Sequence, residues 1–217
     1  GATINVGSLP LTEEYGVAEA FSNYWVNNPN VQLEYRERNQ AALLEALDYR
    51  KLDVALVRMD MLDRSKYAMK PLIHDELVVI FPKRHPLSRR EKVSVAQLRN
   101  ETFMLLETQS DITRIFTRAC EQSGFFPRVP RHHSRHRMLL QAVVNGLGIT
   151  VLPRKLFTAF YSPDLRCASF EPAMFSTIGF IWPNNAPLES ATKTFIERVS
   201  EDIWAALPPE LQIVEEK

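Results

Sequence analysis

Cysteine is almost missing from this chain. Its 217 residues hold two, Cys120 and Cys167, too few for the disulfide framework of a small secreted scaffold. Cys120 falls in the apolar phase of a helical stretch and Cys167 in a strand-like one. Both are expected to pack as ordinary thiols, with a redox pair as the minor alternative. Glycine is scarce at seven residues, which argues against a glycine-rich phosphate cradle. Charge of one sign is not in excess: 26 Lys and Arg balance 26 Asp and Glu. A stand-alone nucleic-acid binder is usually clearly basic. No apolar run approaches the roughly 18 residues that span a bilayer, so no membrane partner is expected. The motifs G-x-S-x-G, G-x-x-x-x-G-K, G-x-G-x-x-G, H-E-x-x-H and C-x-x-C do not occur in a usable context. Gly146-Leu147-Gly148 lies between a helix and a strand, the wrong setting for a dinucleotide loop. The expectation is therefore no enzyme, no cofactor and no metal. No signal-peptide pattern opens the chain, and Gly1 in place of Met suggests a fragment or a trimmed product.

What is present is ordinary globular material, 45% apolar, 24% charged and 10% aromatic. Ala2–Ser8 alternates as a strand, and a turn over Ser8 to Thr12 follows. Val17, Ala18, Phe21 and Trp25 recur at helical spacing up to Asn28-Pro29. Val31–Tyr35 alternates again. Asn39 can cap a helix carrying Leu43, Leu44 and Leu47. Asp53–Val57 is a short, nearly continuous apolar strand, the kind buried on both faces of a parallel sheet. Two further strands are expected at Met69–Ile73 and Glu76–Phe81, then a basic turn at Pro82–Leu87 and a short helix at Val95–Leu98.

A second α/β series follows. Phe103–Leu106 reads as a strand. The helix after Asp111 carries Ile112, Ile115, Phe116, Ala119 and Cys120 and stops at Ser123-Gly124. Arg128–His133 is a strand interrupted by Pro130, Met138–Asn145 a helix apolar on most sides, and Ile149–Leu152 a strand closed by Pro153. Strands at Leu165–Phe170 and Ile178–Trp182 precede a last helix bearing Phe195, Ile196, Val199, Ile203 and Leu207.

Several segments together resemble the effector-binding (regulatory) domain of LysR-type transcriptional regulators, over essentially the whole chain. They are Ile4–Ser8, Phe21 through Pro29-Asn30-Val31, Leu47 through Leu52-Asp53-Val54-Ala55, Glu76-Leu77-Val78 through His85-Pro86-Leu87, Gly124–Pro127, and Gly146-Leu147-Gly148-Ile149 through Leu152-Pro153. Each is weak alone; their joint order and spacing carry the resemblance. The chain departs from the family at Arg50, where the family usually has Gly, so the turn there must avoid positive φ or tolerate strain.

The resemblance implies an α/β fold of two Rossmann-like lobes joined by two crossover strands, like type 2 periplasmic binding proteins. Lobe I would be residues 1–81 plus 182–217 and lobe II residues 82–181, with a small, anionic effector held in the cleft between them. It also implies a homodimer or tetramer in the cytoplasm, DNA contact only through a missing N-terminal winged helix-turn-helix, and signalling by population shift. The helix with Phe21, Tyr24 and Trp25 is the candidate dimer contact. The alternative is an exported solute-binding receptor of the same fold; the region encoded upstream of Gly1 would separate the two.

Ligands in open α/β sheets bind beyond the carboxyl ends of the strands, where helix N-termini favour anions. Four segments qualify. Ser8-Leu9-Pro10 follows the first strand, where Ser8 either bonds a ligand or merely caps its turn. Asn39 has a ligand role or only caps its helix, and Arg58 binds an anion or is a surface cation. Thr108, Gln109 and Ser110 form an all-polar helix start, next to a Glu107 that disfavours carboxylates. His133, Ser134 and His136 lead into the Met138 helix. His132, His133 and His136 also invite a metal reading, but no cysteine or paired carboxylate completes a site. Anion recognition by His136 or Arg137, or a solvated basic turn, is preferred, and a histidine there would make affinity depend on pH.

Overall fold

A computed structural model describes residues 1–10 and 14–213. Leu11 and Thr12 of the expected first turn lie outside the described residues. In chain order the first elements are β1 (Thr3–Ser8), α1 (Val17–Asn27), β2 (Gln32–Glu37), α2 (Gln40–Asp48), β3 (Val54–Arg58), β4 (Tyr67–Pro82), β5 (Lys92–Val93) and β6 (Thr102–Leu106). Then come α3 (Asp111–Gln122), β7 (Arg128–His133), α4 (His136–Val144), β8 (Thr150–Pro153), α5 (Arg154–Phe160), β9 (Leu165–Pro183) and α6 (Ser190–Ala206). Short 3-10 turns stand at Val95–Leu98 and Pro209–Leu211. The chain divides into two compact units, Gly1–His74 with Thr177–Lys217, and Asp75–Ser176.

In the first unit β1 lies between β2 and β3, parallel to both, and β3 pairs antiparallel with the end of β9. Side chains alternate between the faces of a strand. Ile4, Val6, Val54, Leu56, Ile178 and Phe180 therefore pack with α1 and α6, while Ala55, Val57 and Ile181 pack with Leu43 and Leu47 of α2. A strand covered on both sides must be apolar at every position, which is what Val54–Val57 shows. Gly7 lets α2 and the turn after it lie close on the sheet: a Cβ there would meet Leu52 and Leu43 methyls at 2.5 and 2.6 Å.

The second unit repeats the device. Leu77, Val79 and Phe81 of β4 face a core shared with Phe116 and Cys120 of α3. Val78 and Ile80 face Leu139, Leu140 and Val143 of α4. β4 pairs antiparallel with β8, β5 parallel with β9, and β6 parallel with β7. α3 stops where Gly124 takes φ 88°, a left-handed conformation that glycine adopts without steric cost. Cys120 and Cys167 are both free thiols, the first buried and the second half-buried. Burial pushes the Cys120 thiol up to about 12.

Four expectations need correction. The segments Met69–Ile73 and Glu76–Phe81 are one strand of sixteen residues, β4. Leu165–Phe170 and Ile178–Trp182 likewise belong to one strand of nineteen, β9. In both, the polar residues that looked like ends mark where the chain passes from one unit to the other. The buried stripe of α1 is Val17, Ala20, Phe21 and Tyr24, so Ala18 and Trp25 lie outside it. Of the expected partner-facing trio, Phe21 and Tyr24 are thus core, and only Trp25, 62% exposed, is available to a partner. Finally, α5 was not anticipated. Its seven residues bury only Leu156, too little for a helical period to register. At Arg50 the strain is tolerated: φ is 60°, and the guanidinium reaches Asn185 Oδ1 at 2.6 Å.

Candidate functional site

The carboxyl ends of β1 and β3 lie side by side in the first unit, because Ser8 registers with Leu56. Ser8 is fully buried, and its Oγ donates to the Leu9 carbonyl at 2.6 Å. The Tyr35 hydroxyl approaches the same group and donates to Glu37 at 2.9 Å. Burial, with Glu37 beside it, raises the Tyr35 phenol well above its ordinary value, so it stays protonated and donates. Leu9 N–H donates to the Leu56 carbonyl, and Pro10 is exposed.

Asn39 adopts its capping role: its Oδ1 accepts from Ala42 N–H at 2.9 Å. Arg58 is not a surface cation; it is buried, 5% exposed. The side chain of Gln40 clamps its backbone from both sides. Gln40 Nε2 donates to the Arg58 carbonyl at 2.7 Å, and Arg58 N–H donates to Gln40 Oε1 at 3.1 Å. Sequence reasoning passed over this clamp and the Tyr35–Glu37 pair. A glutamine at a helix start facing a strand end was the only signal for the clamp.

In the second unit the parallel register of β6 and β7 sets Leu106 against His133. The two polar segments that follow these strands are thereby brought together, and Glu107 N–H donates to the His133 carbonyl at 3.1 Å. Thr108 and Gln109 are exposed. Gln109 Nε2 donates to Glu107 at 2.6 Å. Ser110 sits at the N-cap of α3 without a side-chain cap bond, and Arg135 does the same for α4. Both helices therefore present N–H groups that no cap side chain occupies. Thr113 donates instead to the Leu106 carbonyl at 2.9 Å, anchoring α3 to β6. His133 Nε2 is buried and has no hydrogen-bond partner. Ser134 is exposed and His136 half-buried. Among the described residues no group of three or more His, Cys, Asp or Glu is placed to hold a metal ion, and no helix is long and apolar enough to cross a membrane.

The fold has counterparts among known proteins. The family model "LysR substrate binding domain" matches residues 1–204. The transcriptional dual regulator GltC of Bacillus subtilis is 28% identical over 199 residues, covering 91% of this chain and 66% of the relative. The chain thus spans a little under two thirds of that regulator's length. Among solved structures, the CcmR regulatory domain of Synechocystis PCC6803 in complex with 2-PG superposes with a TM-score of 0.81 at 16% identity, covering 94% of this chain and 98% of that one. The effector-binding domain of QuiR in complex with shikimate gives a TM-score of 0.79 at 16% identity, covering 95% and 99%.

Proposed function

The chain belongs to the LysR substrate binding domain family, and on that premise we propose that it is the effector-sensing and oligomerisation part of a cytoplasmic LysR-type transcriptional regulator. The proposed effector is a small organic anion, and the residues proposed to meet it are Thr108, Gln109, Ser110, His133, Ser134 and His136 of the second unit. Ser8, Leu9, Pro10, Asn39 and Arg58 are proposed to contribute from the first. The observation that carries the reading is the β6–β7 register, which puts two polar strand ends and two helix N-termini without side-chain caps at one place. Such N–H groups and the positive ends of helix dipoles favour negative charge. The complexes of CcmR with 2-PG and of QuiR with shikimate support a small-molecule effector.

The relative GltC is a transcriptional dual regulator and XapR of Escherichia coli an HTH-type regulator. The second name supports a DNA-binding helix-turn-helix in the longer protein; a homodimer or tetramer as the working unit, and effector binding that shifts the population of its conformations, are proposed with it. The two names give no support to the exported receptor.

A thermal-shift panel of small carboxylates, amino acids and phosphorylated metabolites tests the effector class. A molecule that binds only the folded state raises the melting temperature by mass action, about 2.7 kcal/mol at a hundredfold excess over Kd. The expected result is a hit among the anions; hits confined to cations or neutral compounds would overturn the anion assignment. Sedimentation should show a dimer or larger at micromolar concentration, and a persistent monomer would remove the oligomerisation role.

A further inference from the structure

Away from the strand ends, the first unit holds a cavity of about 610 Å³ beside α6, within the roughly 300–1,000 Å³ of small-molecule sites. Leu72 of β4, Trp182 of β9 and Leu188 ahead of α6 form part of its wall. α6 adds Ile196, Ser200 and Trp204, three residues at i, i+4 and i+8 on one helix face. Trp204 is held in place: its indole N–H donates to the Ile213 carbonyl at 3.1 Å, and its own carbonyl accepts from the Gln212 amide at 2.9 Å. Of the three tryptophans in the chain, two line this cavity.

Two features say what would occupy it. Ser200 is 3% exposed, yet its Oγ has no hydrogen-bond partner. A serine inside a helix can bond the carbonyl four residues back, and a buried hydroxyl without a partner is destabilising. The rim carries Lys70 and Lys193 against Glu197 and Glu201, so its formal charge cancels. A fully charged ligand gains nothing net from such a rim, whereas a flat ring gains from aromatic contact with the two tryptophans.

We propose that this cavity is a second small-molecule site, separate from the strand-end site, and that it takes a neutral, flat, largely apolar compound with one hydroxyl, of the phenol class. The ring lies against Trp182 and Trp204, and the hydroxyl pairs with Ser200.

The probe is 4-fluorophenol, titrated into the 217-residue chain and followed by fluorine NMR and tryptophan fluorescence. Saturable binding with a change in tryptophan emission is expected. Ser200→Ala removes one neutral hydrogen bond and should weaken binding about threefold to tenfold. Leu188→Trp fills the cavity and should abolish the fluorine signal of the bound probe. Ser110→Ala, in the second unit, should leave binding unchanged. No saturable binding by the parent chain, undiminished binding in Ser200→Ala and Leu188→Trp, or loss in Ser110→Ala each overturns the proposal. If Leu188→Trp does not fold, Ser200→Ala decides alone. The two proposed sites share no residue, so failure here leaves the strand-end reading standing.

Discussion

The two units use the same layered plan but finish their strand ends differently. In the first, the polar groups are spent on the protein itself: Ser8 on the Leu9 carbonyl, Asn39 on Ala42, Gln40 on both backbone groups of Arg58. In the second, among the described residues, the hydroxyls of Thr108, Ser110 and Ser134 bond no protein group. His133 Nε2 is buried without a partner. The first face is a pre-organised frame; the second holds donors in reserve. A polar side chain already satisfied inside the protein offers a ligand little, because the new bond only replaces an old one. A rigid frame, in turn, lowers the entropy lost when a ligand is held.

The contrast can be broken at several points. The largest expected effect is on effector affinity. Removing the Thr108 and Ser110 hydroxyls together should weaken binding of an anionic effector by about a hundredfold or more, since each hydrogen bond to a charged group is worth about 1.5–3 kcal/mol. The melting temperature of the free protein should stay where it is. Calorimetric titration showing unchanged affinity in the double variant would discard the segment.

The frame should show itself in stability instead. Tyr67 donates to Asp48 at 2.8 Å, tying β4 to α2. Burial and that carboxylate push its phenol from 10.0 up to about 12. The folded state thus prefers the protonated phenol. Its contribution is complete below pH about 10 and is lost as pH rises toward about 12. Urea melts over this window should fall more steeply for the parent than for Tyr67→Phe; parallel curves would remove Tyr67 from the frame. Gln40→Ala strips both partners from the Arg58 backbone and should cost about 1–3 kcal/mol, seen as a lower urea midpoint at constant slope. Asn39→Ala loses only the α2 cap and should cost about 1 kcal/mol. If Gln40→Ala weakened effector binding while leaving the urea midpoint untouched, Gln40 would belong to the receptive side and the contrast would collapse.

Much of the fold was legible in the residues. Val54–Val57 announced a strand covered on both faces, Asn39 announced a capped helix, and Gly124 announced the stop of α3. The ends of β4 and β9 were not legible. Their polar interruptions resemble strand termini until the continuous backbone is seen. On α1, Trp25 and Tyr24 compete for the core, and a helical period alone does not choose between adjacent stripes. At the candidate site, the four segments could be picked out as polar strand ends. Which groups among them are already engaged could not, because the engagement of Arg58 depends on Gln40, eighteen positions away.

Most strands and helices, the capped start of α2 and both ends of α3 are readable from the residues alone, because local propensity, capping and periodicity act over a few residues. The family was readable only as a resemblance, carried by the joint order of several short motifs. Packing in three dimensions settles which face of α1 is buried, that β4 and β9 run unbroken through both units, that Leu106 meets His133, and that a cavity opens beside α6. Each of these depends on groups far apart in the chain, and no local pattern encodes which distant partner finally claims a side chain.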